Sequence, residues 1–173
     1  GRNLGDVYNS LNRCEQMGEV ILEVKDLCND YLDHVSFKLR AGEVLGFAGL
    51  VGAGRTETMR AIFGADPITS GEIWLYGKKV NIKSPQDAIR MGIALAPEDR
   101  KTQGLVLGTS IRENITMTVL NKVSKKSVLI REKENEVSMQ AVRNFNIKTP
   151  SIEKIVKELS GGNQQKVILG RWM

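Results

Sequence analysis

The sequence predicts an α/β fold in which a β-rich core is followed by a helical subdomain. Three observations support this prediction: a strand–loop–helix pattern over residues 43–64, further apolar strand patterns up to residue 82, and helical patterns after residue 110. A length of 173 residues suits one domain with a hydrophobic core of its own.

The first half of the chain carries the strand signals. Alternating or β-branched apolar segments predict strands at Val20–Val24, Val35–Leu39, Glu43–Ala48, Ile73–Tyr76 and Val80–Ile82. The last two are separated by residues 77–79, which indicates a hairpin. Two helices are also predicted here, one over 57–64 ending at Gly64, and one that begins at Ser84-Pro85 and is closed by Gly92.

The second half is predicted to be helical. Ser110-Ile111-Arg112-Glu113 is a capping box, which marks a helix start. Over residues 131–145, four apolar residues recur at near-helical spacing and are assigned to the core; they are Val137, Ala141, Val142 and Phe145. A last helix is predicted from residue 163 onward.

Residues 49–56 resemble a phosphate-binding loop. The pattern is G-x-x-x-x-G-K-[ST], which Gly49, Gly54 and Thr56 fit, while Arg55 stands in place of the lysine. The predicted strand before the loop and the helix after it give the required context, because glycine N–H groups and a helix N-terminus both attract phosphate. An ordinary glycine-rich turn is the simpler alternative, but motif and context agree. The candidate nucleotide-binding residues here are Gly49, Gly52, Ala53, Gly54, Arg55, Thr56 and Glu57.

Arg55 is the one departure from the pattern. Its guanidinium keeps the positive charge but is longer and bulkier than an ammonium group. A misplacement of about 1 Å costs ~100-fold in rate. We therefore expect this loop to bind nucleotide with weak or absent turnover.

A second candidate anion site lies near the end of the sequence. In Leu159–Lys166, a serine and two glycines precede a predicted helix, so a hydroxyl, backbone N–H groups and the helix dipole can point at one phosphate. Such a tripeptide is also common in ordinary loops. Together with the first loop it is much more specific, and the candidate residues are Ser160, Gly161, Gly162 and Asn163.

This pair of motifs resembles the ATP-binding domains of ABC transporters, in which the second motif is the signature. The resemblance extends from about Val20 to the end. Local features are closer still to the second ATPase half of monosaccharide importers: Arg55 in the loop, Pro97–Lys101 followed by Gly104-Leu105, Asn163 in the signature, and the connector-like Gly1–Asp6. The resemblance thus implies an ABC-type phosphate-loop NTPase domain that binds ATP and Mg²⁺ and serves sugar transport.

The resemblance also implies roles and partners. Family domains pair head to tail, so this chain's signature would act in trans on ATP held by the other ATP-binding domain. Thr56 and Glu98 would hold Mg²⁺, and Asp99–Leu107 would be a flexible coupling loop. Cys28 falls near the usual adenine-stacking position, and Tyr31 is the nearest aromatic candidate. Transmembrane permease subunits and, indirectly, a periplasmic or extracellular sugar-binding protein would be partners at the cytoplasmic face of the cell membrane.

The catalytic part of the family pattern is not complete in this sequence. The resemblance calls for an apolar strand ending in Asp-Glu and a following histidine after the signature, and neither occurs before Met173; His34 precedes the phosphate loop. We therefore expect a domain incomplete at its C-terminus, inactive alone, and marginally stable or self-associating. The expected organisation is a linker at 1–18 and a partial ATP-binding domain at 19–173, divided into a nucleotide-binding core at 19–108 and a helical subdomain at 109–173.

Composition narrows the functional classes. A net charge of +5 is spread among acidic residues, so nucleic acid is not an expected partner, and Cys14 and Cys28 have no metal-type spacing. No apolar stretch is long enough to span a membrane. Two alternatives stay open, an ABC-type ATPase of DNA maintenance and another phosphate-loop enzyme such as a kinase or GTPase.

Overall fold

The computed structural model describes residues 17–172, which fall into two compact units. The first unit extends to Ile93 and the second begins at Ala94. This division comes earlier in the chain than the boundary at residue 108 that the sequence predicts. Nearly all of the predicted linker at 1–18 lies outside the described residues.

The first unit is built on an antiparallel sheet of four strands: β1 (Val20–Asn29), β2 (Leu32–Arg40), β3 (Ser70–Leu75) and β4 (Lys78–Val80). Their order in the sheet is β2–β1–β3–β4. Leu22 in the central strand β1 is paired with Leu39 on one side and Leu75 on the other. The predicted strands at 20–24 and 35–39 are confirmed, and both are longer than predicted because hydrogen-bond pairing continues past the apolar residues.

The turn between β3 and β4 is tighter than predicted. The sequence placed it at residues 77–79, whereas Leu75 pairs directly with Lys78, so that only Tyr76 and Gly77 form the turn. Both residues have positive φ, 49° and 74°. A two-residue turn of this kind matches the twist of the flanking strands, which is why the strand begins at Lys78.

The predicted buried strand at Glu43–Ala48 is wrong. Residues 43–50 have no regular secondary structure, Val44 is 97% exposed, and Phe47 contacts Phe37 edge-on at 5.0 Å. A strand needs a neighbour for its backbone hydrogen bonds, and among the described residues no strand pairs with this segment. The apolar composition of residues 43–48 led to the prediction of a buried strand, but composition alone does not provide a neighbouring strand for backbone hydrogen bonds.

The two helices of the first unit are confirmed. Helix α1 is Arg55–Ile62, with Thr58, Ala61 and Ile62 buried, and it is followed by Gly64 at φ 72°. It begins two residues earlier than predicted. Helix α2 is Pro85–Arg90, and its N-cap is Ser84, whose Oγ accepts from the backbone N–H of Asp87.

The second unit is mainly helical. It contains α3 (Ile111–Thr116), α4 (Leu120–Val123), α5 (Arg131–Asn144) and α6 (Gly161–Gly170), with a small hairpin of β5 (Ser124–Lys125) and β6 (Val128–Leu129). A π-helical turn spans Arg100–Gly104 and a 3₁₀ turn spans Val156–Glu158. The buried apolar core consists of Leu105, Ile111, Ile115, Ala141, Ile147, Val156, Leu159, Val167 and Ile168. Three of the four predicted core residues of α5 and its end, Val137, Val142 and Phe145, are partly buried against this core, and Ala141 is fully inside it.

The capping box is confirmed at the start of α3. The Ser110 hydroxyl accepts from the N–H of Glu113, and the Glu113 carboxylate accepts from the N–H of Ser110 at 2.8 Å. The Ser110 hydroxyl also donates to the Glu113 carboxylate at 2.7 Å, and this bond is the main reason that the pKa of Glu113 lies below its usual range. Helix α3 is thereby fixed at its first turn.

Asn114, in the middle of α3, is completely buried, and its side-chain oxygen and nitrogen and its backbone carbonyl all form hydrogen bonds. Its Oδ1 accepts from the N–H of Val106 at 3.0 Å, and its Nδ2 donates to the Thr109 hydroxyl at 2.8 Å. Arg171, directly after α6, donates from Nε to the Asn114 carbonyl and from Nη2 to its Oδ1, at 2.9 and 3.2 Å. One side chain therefore joins α3, the segment before it and the end of α6.

Arg112 forms a buried ion pair on the same helix. Its Nη1 lies 2.8 Å from Glu134 Oε1, and only 7% and 4% of the two side chains are exposed. Its Nε also contacts Glu153, which in turn pairs with Arg131. Thr116 donates a further bond to Glu134. The hydrogen bond from Arg112 is the main reason that the pKa of Glu153 is lowered.

We predict that Arg112→Met destabilises the helical unit by about 3–5 kcal/mol, because it leaves the Glu134 carboxylate buried without its cation. Urea unfolding followed by circular dichroism measures the effect. The double variant Arg112→Met/Glu134→Leu should recover much of the loss, since no buried charge is then left unpaired. The exposed Arg143→Met on α5 is the control. Equal unfolding midpoints for Arg112→Met and Arg143→Met would contradict the prediction.

Candidate phosphate-binding site

The phosphate-binding loop at 49–56 leads directly into α1. Gly54 is the N-cap of the helix with φ 76°, and Gly52 has φ 85°. Alternation of left-handed and ordinary backbone conformations directs successive N–H groups to one side, which forms an anion-binding concavity at the helix N-terminus. Residues other than glycine adopt such φ angles only with strain.

The loop is closely packed at both ends. A Cβ atom on Gly49 would lie 2.9 Å from the Ala53 Cβ, so the loop closes on itself at this point. A Cβ on Gly54 would lie 3.1 Å from Leu32 Cδ2 and 3.6 Å from the Tyr31 carbonyl oxygen. The turn between β1 and β2 thus forms a wall of the loop, and the glycines provide space that side chains would fill.

Arg55 is the first residue of α1, and its side chain folds back over the loop. Its Nη2 donates to the Leu50 carbonyl oxygen at 3.4 Å, and the Ala53 N–H donates to the same oxygen at 3.1 Å. The guanidinium therefore places positive charge beside the loop, as an anion site requires. Thr56 is exposed next to it, and Glu57 is half-buried in the first helical turn.

The second motif forms the start of α6. Ser160 is the N-cap, and its Oγ accepts from Asn163 Nδ2 at 3.1 Å instead of from the helix backbone. Asn163 Oδ1 accepts from the N–H of Lys148, which fixes the amide side chain. Around Gly162 there is open space. Within residues 17–172 no side chain caps the first-turn N–H groups, so these donors are available to an anion.

Arg100 contacts the second motif, which the sequence alone did not indicate. A Cβ atom on Gly161 would lie 2.8 Å from Arg100 Nη2, so the glycine leaves room for the guanidinium. The Nε of Arg100 is buried and has no hydrogen-bond partner among the described residues. The only sequence signal for this contact was the position of Arg100 inside Pro97–Lys101. The structure places a second arginine at a candidate phosphate site.

The predicted coupling loop is a defined turn at its start. Asp99 accepts from the N–H of Lys101 at 2.9 Å and from the Thr102 hydroxyl at 2.7 Å. These bonds, first the one from the Thr102 hydroxyl, lower the pKa of Asp99. Gly104 approaches α6 closely, since a Cβ there would lie 2.7 Å from Ile168 Cδ1. The side chain of Glu98 is exposed beside this turn.

The candidate residues form two groups, one in each compact unit. The first group is Gly49 to Glu57, and the second comprises Glu98 together with Ser160 to Asn163. Both groups fit phosphate, because each combines a helix N-terminus, glycines and an arginine. The two predicted Mg²⁺ ligands, Thr56 and Glu98, belong to different units, and their joint role stays a prediction.

No helix within residues 17–172 is long and apolar enough to cross a membrane.

Known sequences similar to this chain include ATP-binding proteins of sugar import. The ABC transporter family model matches residues 32–173. Over its whole length the chain is 47% identical to the ribose import ATP-binding protein RbsA of Bacillus cereus and 48% identical to the arabinose import ATP-binding protein AraG of Mannheimia succiniciproducens. It spans only 35% and 34% of these relatives, about a third of their length.

Solved structures agree with the fold. A dimeric ATP-binding cassette in a post-hydrolysis state, bound to ADP and Pi, matches with a TM-score of 0.66 at 18% identity, covering 88% of this chain and 69% of that chain. The ADP conformation of another ATP-binding cassette of an ABC transporter matches with a TM-score of 0.68 at 22% identity, covering 89% and 64%. At this level of identity the likeness concerns the fold, and it confirms the predicted α/β phosphate-loop NTPase class.

We predict a graded effect of alanine at two glycines of the loop, Gly52 and Gly54, and at Gly46 just before it. Gly46→Ala should be neutral, because Gly46 has open space and no positive φ. Gly52→Ala should cost about 1–2 kcal/mol through backbone strain alone, and Gly54→Ala should cost more, because its Cβ would also crowd Leu32. Thermal unfolding of the three variants measures the order. A Gly54→Ala variant as stable as Gly46→Ala would show that the loop does not have this geometry.

Proposed function

Because this chain belongs to the ABC transporter family, we propose that it is the second ATP-binding domain of a longer ATPase that powers the import of a monosaccharide. The observation that carries the proposal is the glycine loop at 49–56 with Arg55 folded over it. The same chain also has the second motif, residues 160–163, at the start of α6. The names of the similar proteins, ribose and arabinose import ATP-binding proteins, support the substrate class. The alternatives in DNA maintenance or kinase and GTPase chemistry gain no support from them.

ATP would bind at the loop through backbone donors and charge. Gly52 and Gly54 turn the backbone, and the helix N-terminus and Arg55 add positive charge. Thr56 and Glu98 would hold Mg²⁺, which neutralises developing phosphate charge when it is bound. Tyr31, 75% exposed in the turn that packs on Gly54, is the proposed stacking partner of adenine.

The loop of this chain would hold ATP with little or no hydrolysis. The Arg55 guanidinium is planar and reaches back to the Leu50 carbonyl, and its donors form a fixed fork. Transfer of a phosphoryl group depends on placing positive charge on the transferring oxygens with little tolerance in position. We infer that binding survives the replacement of lysine by arginine and that the transition-state geometry does not.

The signature of this chain would act on ATP held by the other ATP-binding domain of a head-to-tail pair. The free first-turn donors of α6, the Ser160 hydroxyl and the open space at Gly162 suit a γ-phosphate supplied from outside. Arg100 beside Gly161 would add charge to that phosphate. Since each ATP needs both a loop and a partner signature, the 173-residue chain alone would hydrolyse nothing.

The proposal also assigns a role to each segment of the chain. Residues 1–18 would connect this domain to a preceding one, 19–108 would form the nucleotide-binding core, and 109–173 would form the helical subdomain. The helical subdomain would face transmembrane permease subunits at the cytoplasmic side of the membrane, with an external sugar-binding protein delivering the substrate. Nucleic acid has no part in this function.

We predict that, in the full-length protein with its membrane partners, Gly162→Asp lowers ATP hydrolysis by about 100-fold or more, because a carboxylate then occupies the place of the γ-phosphate. The exposed Gly108→Asp, a residue of the same unit with open space around it, is the matched control and should keep normal activity. Steady-state phosphate release measures both. Normal hydrolysis in Gly162→Asp would exclude a role for this signature.

At the phosphate-binding loop, by contrast, we predict that substitution leaves much of the ATP hydrolysis intact. Arg55→Lys and Arg55→Ala should change the affinity for ATP at this domain, measured by nucleotide titration, while a substantial part of the transport-coupled hydrolysis remains. The reason is that the hydrolysed ATP would lie on the other domain's loop. If Arg55→Ala abolishes hydrolysis entirely, the proposal that ATP is hydrolysed at the other domain's loop and only held at this one is wrong.

A further inference from the structure

We propose a Zn²⁺-binding site at the tip of the β1–β2 hairpin, formed by Cys28, Asp33 and His34. One ligand atom of each of these residues lies within 4.8 Å of the other two. Thiolate, imidazole and carboxylate are the ligand types that zinc prefers, and three protein ligands leave a fourth position for water. None of these three residues is among the candidate phosphate-binding or Mg²⁺-binding residues described above, although the hairpin that carries them packs against Gly54.

A β-bulge brings the three residues together. Leu27 pairs with Val35 and Asn29 pairs with Leu32, so a single residue of β1, Cys28, lies opposite two residues of β2. Those two residues are Asp33 and His34. His34 has φ 49°, a left-handed conformation that changes the direction of its side chain relative to an ordinary strand residue. The ligands therefore come from two paired strands, which position them more firmly than a free loop would.

The turn between the strands is itself held in place. Asn29 Oδ1 accepts from the N–H of Tyr31 at 2.8 Å and from the N–H of Leu32 at 2.9 Å. These bonds fix the short connection between the cysteine on one strand and the two ligands on the next. The backbone that carries the three ligands is thus held in place before a metal binds, and only the side chains must adjust.

The sulfur atom of Cys28 makes polar contacts with both strands of the hairpin. The backbone N–H of His34 donates to Cys28 Sγ at 3.3 Å. The thiol also donates to the Asp26 carbonyl oxygen at 3.5 Å, and the metal would take the place of this proton because the thiolate is the form that binds metal. Coordination releases the thiol proton to solvent, so zinc binding at this site is coupled to the release of one proton.

The imidazole of His34 lies between two carboxylates. Its Nε2 is 3.9 Å from Asp33 Oδ1, and its Nδ1 is 3.8 Å from Asp26 Oδ1. Binding of the metal through Nε2 and Asp33 leaves Nδ1 facing Asp26. A carboxylate behind a ligating histidine is the usual outer partner in zinc sites, where it fixes the tautomer and raises the basicity of the ligand.

The distances require only small movements. Zinc–ligand bonds of about 2.0–2.3 Å place tetrahedral ligand atoms roughly 3.3–3.8 Å apart, compared with the 4.8 Å limit here. The side chains of Asp33 and His34 are 98% and 71% exposed, so they can rotate inward without disturbing the core. A bound ion would cross-link the adjoining ends of β1 and β2, and through Tyr31 and Leu32 it would stiffen the wall beside Gly54.

The test is metal titration of the full-length protein with Co²⁺ and Zn²⁺. Co²⁺ should give sulfur-to-cobalt charge-transfer absorption, and Zn²⁺ should displace it. Cys28→Ser should abolish this absorption, and His34→Gln should raise the Zn²⁺ dissociation constant at least tenfold. Cys14→Ser, at the other cysteine of the chain, is the matched control and should leave both unchanged.

A second measurement separates loss of the site from loss of folding. Zn²⁺ should raise the melting temperature of the wild type and of Cys14→Ser, and it should not raise that of Cys28→Ser or His34→Gln, since only a ligand bound to the folded state stabilises it. Circular dichroism without metal should be the same for all four proteins. Cobalt absorption that is equal in the wild type and Cys28→Ser, or zinc stabilisation that persists in both ligand variants, would overturn the proposal.

Discussion

The hydrogen bonds of Asn114 are the interaction on which the helical unit depends. Asn114 is completely buried, and it joins the segment at Val106 to the end of α6 through Arg171. A buried amide left without partners costs about 1–3 kcal/mol for each group, so the surrounding backbone is held in one arrangement. Because α6 is one continuous helix from Gly161 to Gly170, holding its C-terminal end also restricts where the backbone donors of its first turn lie within this unit.

The two candidate phosphate sites are built by the same physical means. Each has glycines at a helix start and an arginine close by: Arg55 at the first and Arg100 at the second. They differ in what surrounds them. Gly54 is packed against the β1–β2 turn, whereas Gly162 has open space around it, as the proposed binding of a phosphate from another domain requires.

Local signals in the sequence predicted most of the fold. Caps, turn glycines and apolar periodicity act over a few residues, so the Ser110 capping box, α1 and α2 were placed correctly. The strand at Glu43–Ala48 was wrong because pairing partners are not encoded in the segment itself. In the same way, the motif at 160–163 could be recognised, but the Arg100 contact could not, since it joins residues 61 positions apart in the sequence.

The state of the nucleotide at the Arg55 loop during turnover shows whether this loop holds ATP without hydrolysing it. Full-length protein can be photolabelled during transport with azido-ATP carrying either an α- or a γ-phosphate label, and the labelled peptides mapped. We expect peptides of this chain near Tyr31 to retain both labels equally, because ATP stays uncleaved there. Loss of the γ-label from these peptides, with the α-label retained, would contradict it.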